Sequence, residues 1–82
     1  MLQILLHHNP NKDVFRGVVS AVDGGFSSDV FVVDRATNII TETFPVPAPG
    51  WVHTTRQQAQ AALTPVAALA RNNGFEFNLE EP

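Results

Sequence analysis

The run TTRQQAQAALTPVAALARNNG, Thr54 to Gly74, is the one long stretch of this chain with helical periodicity. At 100° per residue, Ala59, Ala62, Leu63, Val66, Leu69 and Ala70 fall on one stripe, the pattern of a helix that faces a core. Half of the stripe is alanine, so the helix backbone can lie close to its neighbour and the bulk must come from the other side. Thr54 with Gln57, or Thr55 with Gln58, offers a capping box for the first turn. Asn72-Asn73-Gly74 is a stop signal, because these residues tolerate the left-handed conformation that closes a helix. Pro65 interrupts the run: its ring clashes with the carbonyl four residues back, and it donates no helical bond. Thr64-Pro65 also suits an N-cap and first helical position. The stretch is therefore predicted as one helix kinked at Pro65, or as two short helices over roughly 54–63 and 65–73.

Outward from this helix the chain reads as strands. Leu2–His8 is predicted as a first strand, with Leu2, Ile4 and Leu6 on one face and Leu5 on the other, and so covered more fully than a simple surface strand. A turn cluster, His8-Asn9-Pro10-Asn11-Lys12-Asp13, separates it from Val14–Val22, rich in β-branched residues. Gly17 inside that strand predicts a bulge or a close approach of the helix backbone. Asp23-Gly24-Gly25 supplies a hairpin turn. Asp29–Asp34 and Ile39–Phe44 follow as strands three and four, joined by Arg35–Asn38. Pro45 lacks a ladder donor and ends strand four as a sheet edge. After the helix, Phe75–Glu80 alternates, with Phe75, Phe77 and Leu79 on the core face.

The fold class predicted is α+β: a four- to five-stranded antiparallel sheet, β-β-β-β-α-β, covered on one face by the helix. A helical stretch of this length crosses the sheet and delivers strand five running with strand four. Pairing strand five antiparallel to strand one gives the order 5-1-2-3-4 and places strand one inside the sheet.

The chain has 82 residues, 44% of them hydrophobic and 16% charged, which fits a single folded domain over 1–82 and argues against disorder. Net charge is −3, from five basic and eight acidic residues. The basic residues Lys12, Arg16, Arg35, Arg56 and Arg71 are scattered singly, whereas phosphate-backbone binding needs a clustered positive footprint. Direct nucleic-acid binding is therefore not expected. There is no cysteine, hence no disulfide framework, thiolate metal site or thiol nucleophile. That composition, with no signal peptide and no membrane-length apolar run, predicts a cytoplasmic protein.

His7, His8 and His53 are the only nitrogen ligands or imidazole bases available. A tetrahedral metal site needs three or four converging ligands, and adjacent residues of a strand point to opposite faces. A ligand- or metal-dependent enzyme built on these histidines is a further alternative. Gly24-Gly25-Phe26-Ser27-Ser28 has the composition of a phosphate-cradling loop, but such loops lead into a helix, and here a strand follows. No Ser-His-Asp arrangement or paired carboxylates emerge. No catalytic residue, cofactor or metal is assigned, and an enzyme is not expected.

The segment Phe44-Pro45-Val46-Pro47-Ala48-Pro49-Gly50-Trp51 is the most unusual. Alternating prolines stiffen it toward an extended polyproline-like form. It reads as a rigid connector with Phe44 and Trp51 closing the end of the core, and also as a preorganised apolar arm that docks on a partner with Trp51 as anchor. The partner-binding residues predicted are Phe44, Pro47, Pro49 and Trp51, with Gln57, Gln60 and Arg71 on the outward helix face. The partner is a protein, and an exposed edge strand could also pair two copies across a two-fold axis.

The succession Phe44–Gly50 followed by a Thr-capped, Ala-rich helix resembles the core of HicB-type antitoxins, in which a strand ends in a Pro-Asp-x-Pro-Gly turn before a helix. Val46 replaces the acidic residue, an extra hairpin precedes the strand, and the likeness covers about a third of the chain. The resemblance implies a regulator that neutralises a small RNase toxin. In size and inferred architecture the chain is also similar to small phage proteins that inhibit host machinery, anti-CRISPR proteins among them. The function expected is a small, non-enzymatic interaction module that binds and inhibits another protein.

Overall fold

A computed structural model of the chain describes Leu5 and residues 7–80. Its elements are β1 (Asp13–Val22), β2 (Gly25–Asp34), β3 (Ile40–Val46), α1 (Arg56–Asn72) and β4 (Phe77–Glu80), an α+β arrangement. The four strands form one sheet in the order β3-β2-β1-β4.

β1 and β2 are joined by a tight hairpin, with Val22 opposite Gly25 and Asp13 opposite Asp34. β2 pairs antiparallel with β3, with a register shift between Val32 and Val33. β3 runs on through Pro45 to Val46, two residues past the expected end. This is tolerated because β3 is an edge strand, where the donor that proline lacks is not missed by a neighbour.

The last strand corrects the expected pairing. β4 lies beside β1 and runs parallel to it, with Phe77 opposite Phe15 and Glu80 opposite Val18. The expected strand Leu2–His8 does not separate them: residues 2–4 and 6 lie outside the described residues, and Leu5, His7 and His8 belong to no strand. The direction of β4 follows from the helical crossover, as predicted, but its neighbour then makes the sheet mixed, since a crossover connection delivers parallel pairs. His8 is engaged elsewhere. Its Nδ1 lies 3.1 Å from Asp13 Oδ2, and its Nε2 3.2 Å from Glu42 Oε1.

α1 is one continuous helix that contains Pro65. The two-helix alternative does not occur, because Pro65 and Ala61, whose carbonyl loses its partner, are both exposed and water can satisfy the freed group. Thr55 is the N-cap: its Oγ1 accepts from Gln58 N–H at 3.1 Å, while Gln58 Oε1 accepts from Thr54 N–H at 3.2 Å. At the other end Phe75 N–H donates to the Ala70 carbonyl and Gly74 N–H to that of Arg71, both at 3.0 Å. These two crossed bonds are a Schellman closure.

The helix buries Ala59, Leu63, Ala67 and Ala70, so the stripe is centred one residue further on than periodicity suggested, with Ala62 and Val66 on its flank. The opposing bulk comes from Phe15, Val19, Val30, Val32 and Phe77. Phe15 stacks on Phe75 at 4.8 Å between ring centroids. Gly17 marks neither a bulge nor a helix contact. A Cβ there would sit 3.0 Å from the side chains of Phe77 and Leu79, so it is the neighbouring strand that uses the space. Leu79 is on the core side as expected but remains 46% exposed, because the helix does not reach over it.

Candidate functional site

The proline-rich segment is folded back rather than extended. Trp51 N–H donates to the Ala48 carbonyl at 3.2 Å, and Gly50 has φ 77° at the second central position after Pro49, as a type II turn requires. The Val46–Pro47 peptide bond is cis.

Beyond the turn the chain returns to the sheet at His53. Phe26 N–H donates to the His53 carbonyl at 2.9 Å, and His53 N–H donates to the Phe26 carbonyl at 2.7 Å. Gly25 makes that approach feasible, since a Cβ there would collide with the His53 carbonyl. Ser28, two residues along β2, is 1% exposed, and its hydroxyl meets both ends of the loop. Oγ donates to the Val46 carbonyl at 2.9 Å and lies 3.1 Å from His53 Nε2.

This places Trp51 at the tip of a closed loop, 54% exposed and 6.3 Å from the His53 ring. Val52, 45% exposed, sits against Gly25 of the hairpin turn. Arg56 lies over the Phe26 ring at 5.0 Å. The exposed indole and its exposed sequence neighbour Val52 make the tip of this loop apolar.

The other predicted partner-binding residues do not join this tip. Phe44 and Trp51 were expected to close the core together, but Phe44 alone packs against it, half-buried. Pro49 is exposed in the turn. Pro47 borders a groove of about 270 Å³ with Ala62, Pro65, Val66 and Leu69, on the β3 flank of the helix. Gln57 and Gln60 border a second groove of about 300 Å³ on the opposite flank, with Val19, Thr64, Leu79 and Glu80. Arg71 is held by its own chain: Nη2 donates to the Phe77 carbonyl at 2.7 Å, with the guanidinium over the Phe77 ring. Local periodicity put Arg71 on the outward face, but the strand that captures it was not visible there.

The histidines do not converge. His53 sits at the Trp51 loop and His8 at Asp13 and Glu42. Among the described residues no group of three or more His, Asp or Glu side chains is placed to hold a metal ion. The Ser28 hydroxyl beside His53 is buried and also meets the Val46 carbonyl, so it is not presented to a substrate as a nucleophile would be.

Two carboxylates have depressed pKa values. Asp34 is lowered chiefly by the Thr37 backbone N–H, with Ala36 N–H and the charge of Lys12 adding to it. Glu76 is lowered first by the Asn78 side-chain amide and then by Arg35, whose Nη1 is 3.1 Å away. Both belong to turns and strand ends far from the tip in sequence. Among the described residues no helix is long and apolar enough to cross a membrane. Compared with known proteins, the chain matches no family model, no curated protein and no solved structure.

Proposed function

We propose that this chain is a small non-enzymatic interaction module that binds another protein through the Trp51 tip and inhibits it. The observation that carries this reading is Trp51 itself. A tryptophan that is 54% exposed on a loop anchored at both ends presents a large apolar surface at low entropic cost. The low charge of the chain adds to this, since a neutral surface associates readily. Small size and an α+β class are all that this reading has in common with small cytoplasmic inhibitors of phage type, anti-CRISPR-like proteins included, which makes that part of it an analogy. The test is capture with the tagged chain from lysate of its source cell, with Trp51→Ala as control. One stoichiometric partner that the control loses supports the reading, and a partner that the control retains contradicts it.

A HicB-like antitoxin is the second reading. It is favoured by the order of elements at the site: strand β3, the proline turn, then a Thr55-capped helix. It requires the captured partner to be a small RNase.

A further inference from the structure

Ser28 is a polar residue inside an apolar cluster, surrounded in the sheet by Val19, Val30 and Val46. A buried hydroxyl is retained without cost only where its hydrogen bonds are made. Here both are made to one loop, at its first residue and at its last, Val46 and His53.

Only one proton arrangement makes both contacts hydrogen bonds at once. A hydroxyl has one proton and two lone pairs. The Val46 carbonyl can only accept, so the Ser28 proton points to it across 2.9 Å. The Ser28 oxygen can then only accept from His53, so at 3.1 Å the ring must carry its proton on Nε2. In the neutral ring Nδ1 is left as an acceptor. Among the described residues no fully buried side-chain nitrogen or oxygen lacks a partner, so Nδ1, which makes no hydrogen bond to them, keeps some contact with solvent. It belongs to the ring that lies 6.3 Å from the indole of Trp51.

We propose that Ser28 is the positioning residue of the Trp51 loop. Its hydroxyl ties Val46 to His53, holds His53 in the Nε2–H tautomer, and so sets an imidazole acceptor beside the exposed indole. The surface is then matched to a protein partner that offers an apolar pocket for Trp51 with a hydrogen-bond donor at its rim. That last step rests on the interaction reading above, whereas the ordering of the loop does not.

The test uses the free chain. Two-bond proton–nitrogen spectra of the neutral imidazoles report the His53 tautomer. Trp51 is the only tryptophan in the chain, so fluorescence anisotropy decay reports the loop alone. The wild-type chain should show His53 as Nε2–H and a Trp51 decay without a fast local component. Ser28→Ala should give a mixed tautomer, a fast local component, and amide exchange at His53 faster by about tenfold, the equivalent of one lost hydrogen bond. Ser28→Thr, which keeps the hydroxyl, should restore all three. An Nδ1–H tautomer in the wild-type chain overturns the proposal, as does a folded Ser28→Ala chain with unchanged tautomer and anisotropy. If Ser28→Ala does not fold by circular dichroism, the wild-type tautomer decides. These readouts need no partner, so failure of the clamp and failure of Trp51→Ala to abolish binding are separate results.

Discussion

Phe26 and His53 exchange both backbone hydrogen bonds, at 2.9 and 2.7 Å, although twenty-six residues and an entire edge strand separate them in the chain. That exchange converts the proline-rich segment from a free arm into a loop with a fixed base. It also brings the start of α1 to the hairpin end of the sheet, where Arg56 covers Phe26. The position of Trp51 is thus a consequence of pairing rather than of the prolines alone.

Gly25 should be indispensable to this arrangement. Gly25→Ala drives a methyl group into the His53 carbonyl, and the neighbouring backbone must shift. The expected loss is about 1–3 kcal/mol of stability in urea unfolding, together with faster amide exchange at Phe26 and His53. Unchanged stability and exchange would show that the two segments do not pair.

Two leucines on the same side of the sheet should behave differently. Leu63 is fully buried at the centre of the helix contact, so Leu63→Ala should cost about 2–5 kcal/mol. Leu79 lies at the rim of an open groove, and Leu79→Ala should cost less than about 1 kcal/mol. Equal losses in denaturant titrations would mean that the helix covers β4 more fully than described.

Acid should weaken the fold through Asp34 and Glu76. Both are lowered from ordinary values of 3.8 and 4.5, Asp34 chiefly by the Thr37 N–H and Glu76 chiefly by the Asn78 amide. A carboxyl depressed in the folded state binds protons more readily when unfolded. Its contribution is complete above the ordinary value and is lost as pH falls through the depressed one. Urea midpoints should therefore decline on acidification below those ordinary values, and Asp34→Asn should flatten part of the decline. Parallel pH profiles for the two chains would remove Asp34 from this account.

Much of the architecture was legible locally. The Thr55–Gln58 cap, the Asn73-Gly74 stop and the hairpin at Asp23-Gly24 are short-range devices, and each occurs where residue types specify it. What was not legible depends on contacts distant in sequence. β4 beside β1, Arg71 on the Phe77 carbonyl, and Ser28 between Val46 and His53 leave no periodic trace. Trp51 stood out by its type and its proline neighbours; Pro47 was grouped with it as part of the proline arm, and Gln57 and Gln60 as the outward face of the helix. The helix separates them onto opposite flanks.

The central claim is that Trp51 carries partner binding without carrying the fold. The most direct measurement is calorimetric affinity of the captured partner for the wild-type and Trp51→Ala chains, with urea unfolding of both. Truncating a central anchor costs at least about 2 kcal/mol, or roughly thirtyfold in Kd. The account predicts that loss of affinity at unchanged stability. Equal affinities would contradict it, and so would a loss matched by an unfolded variant.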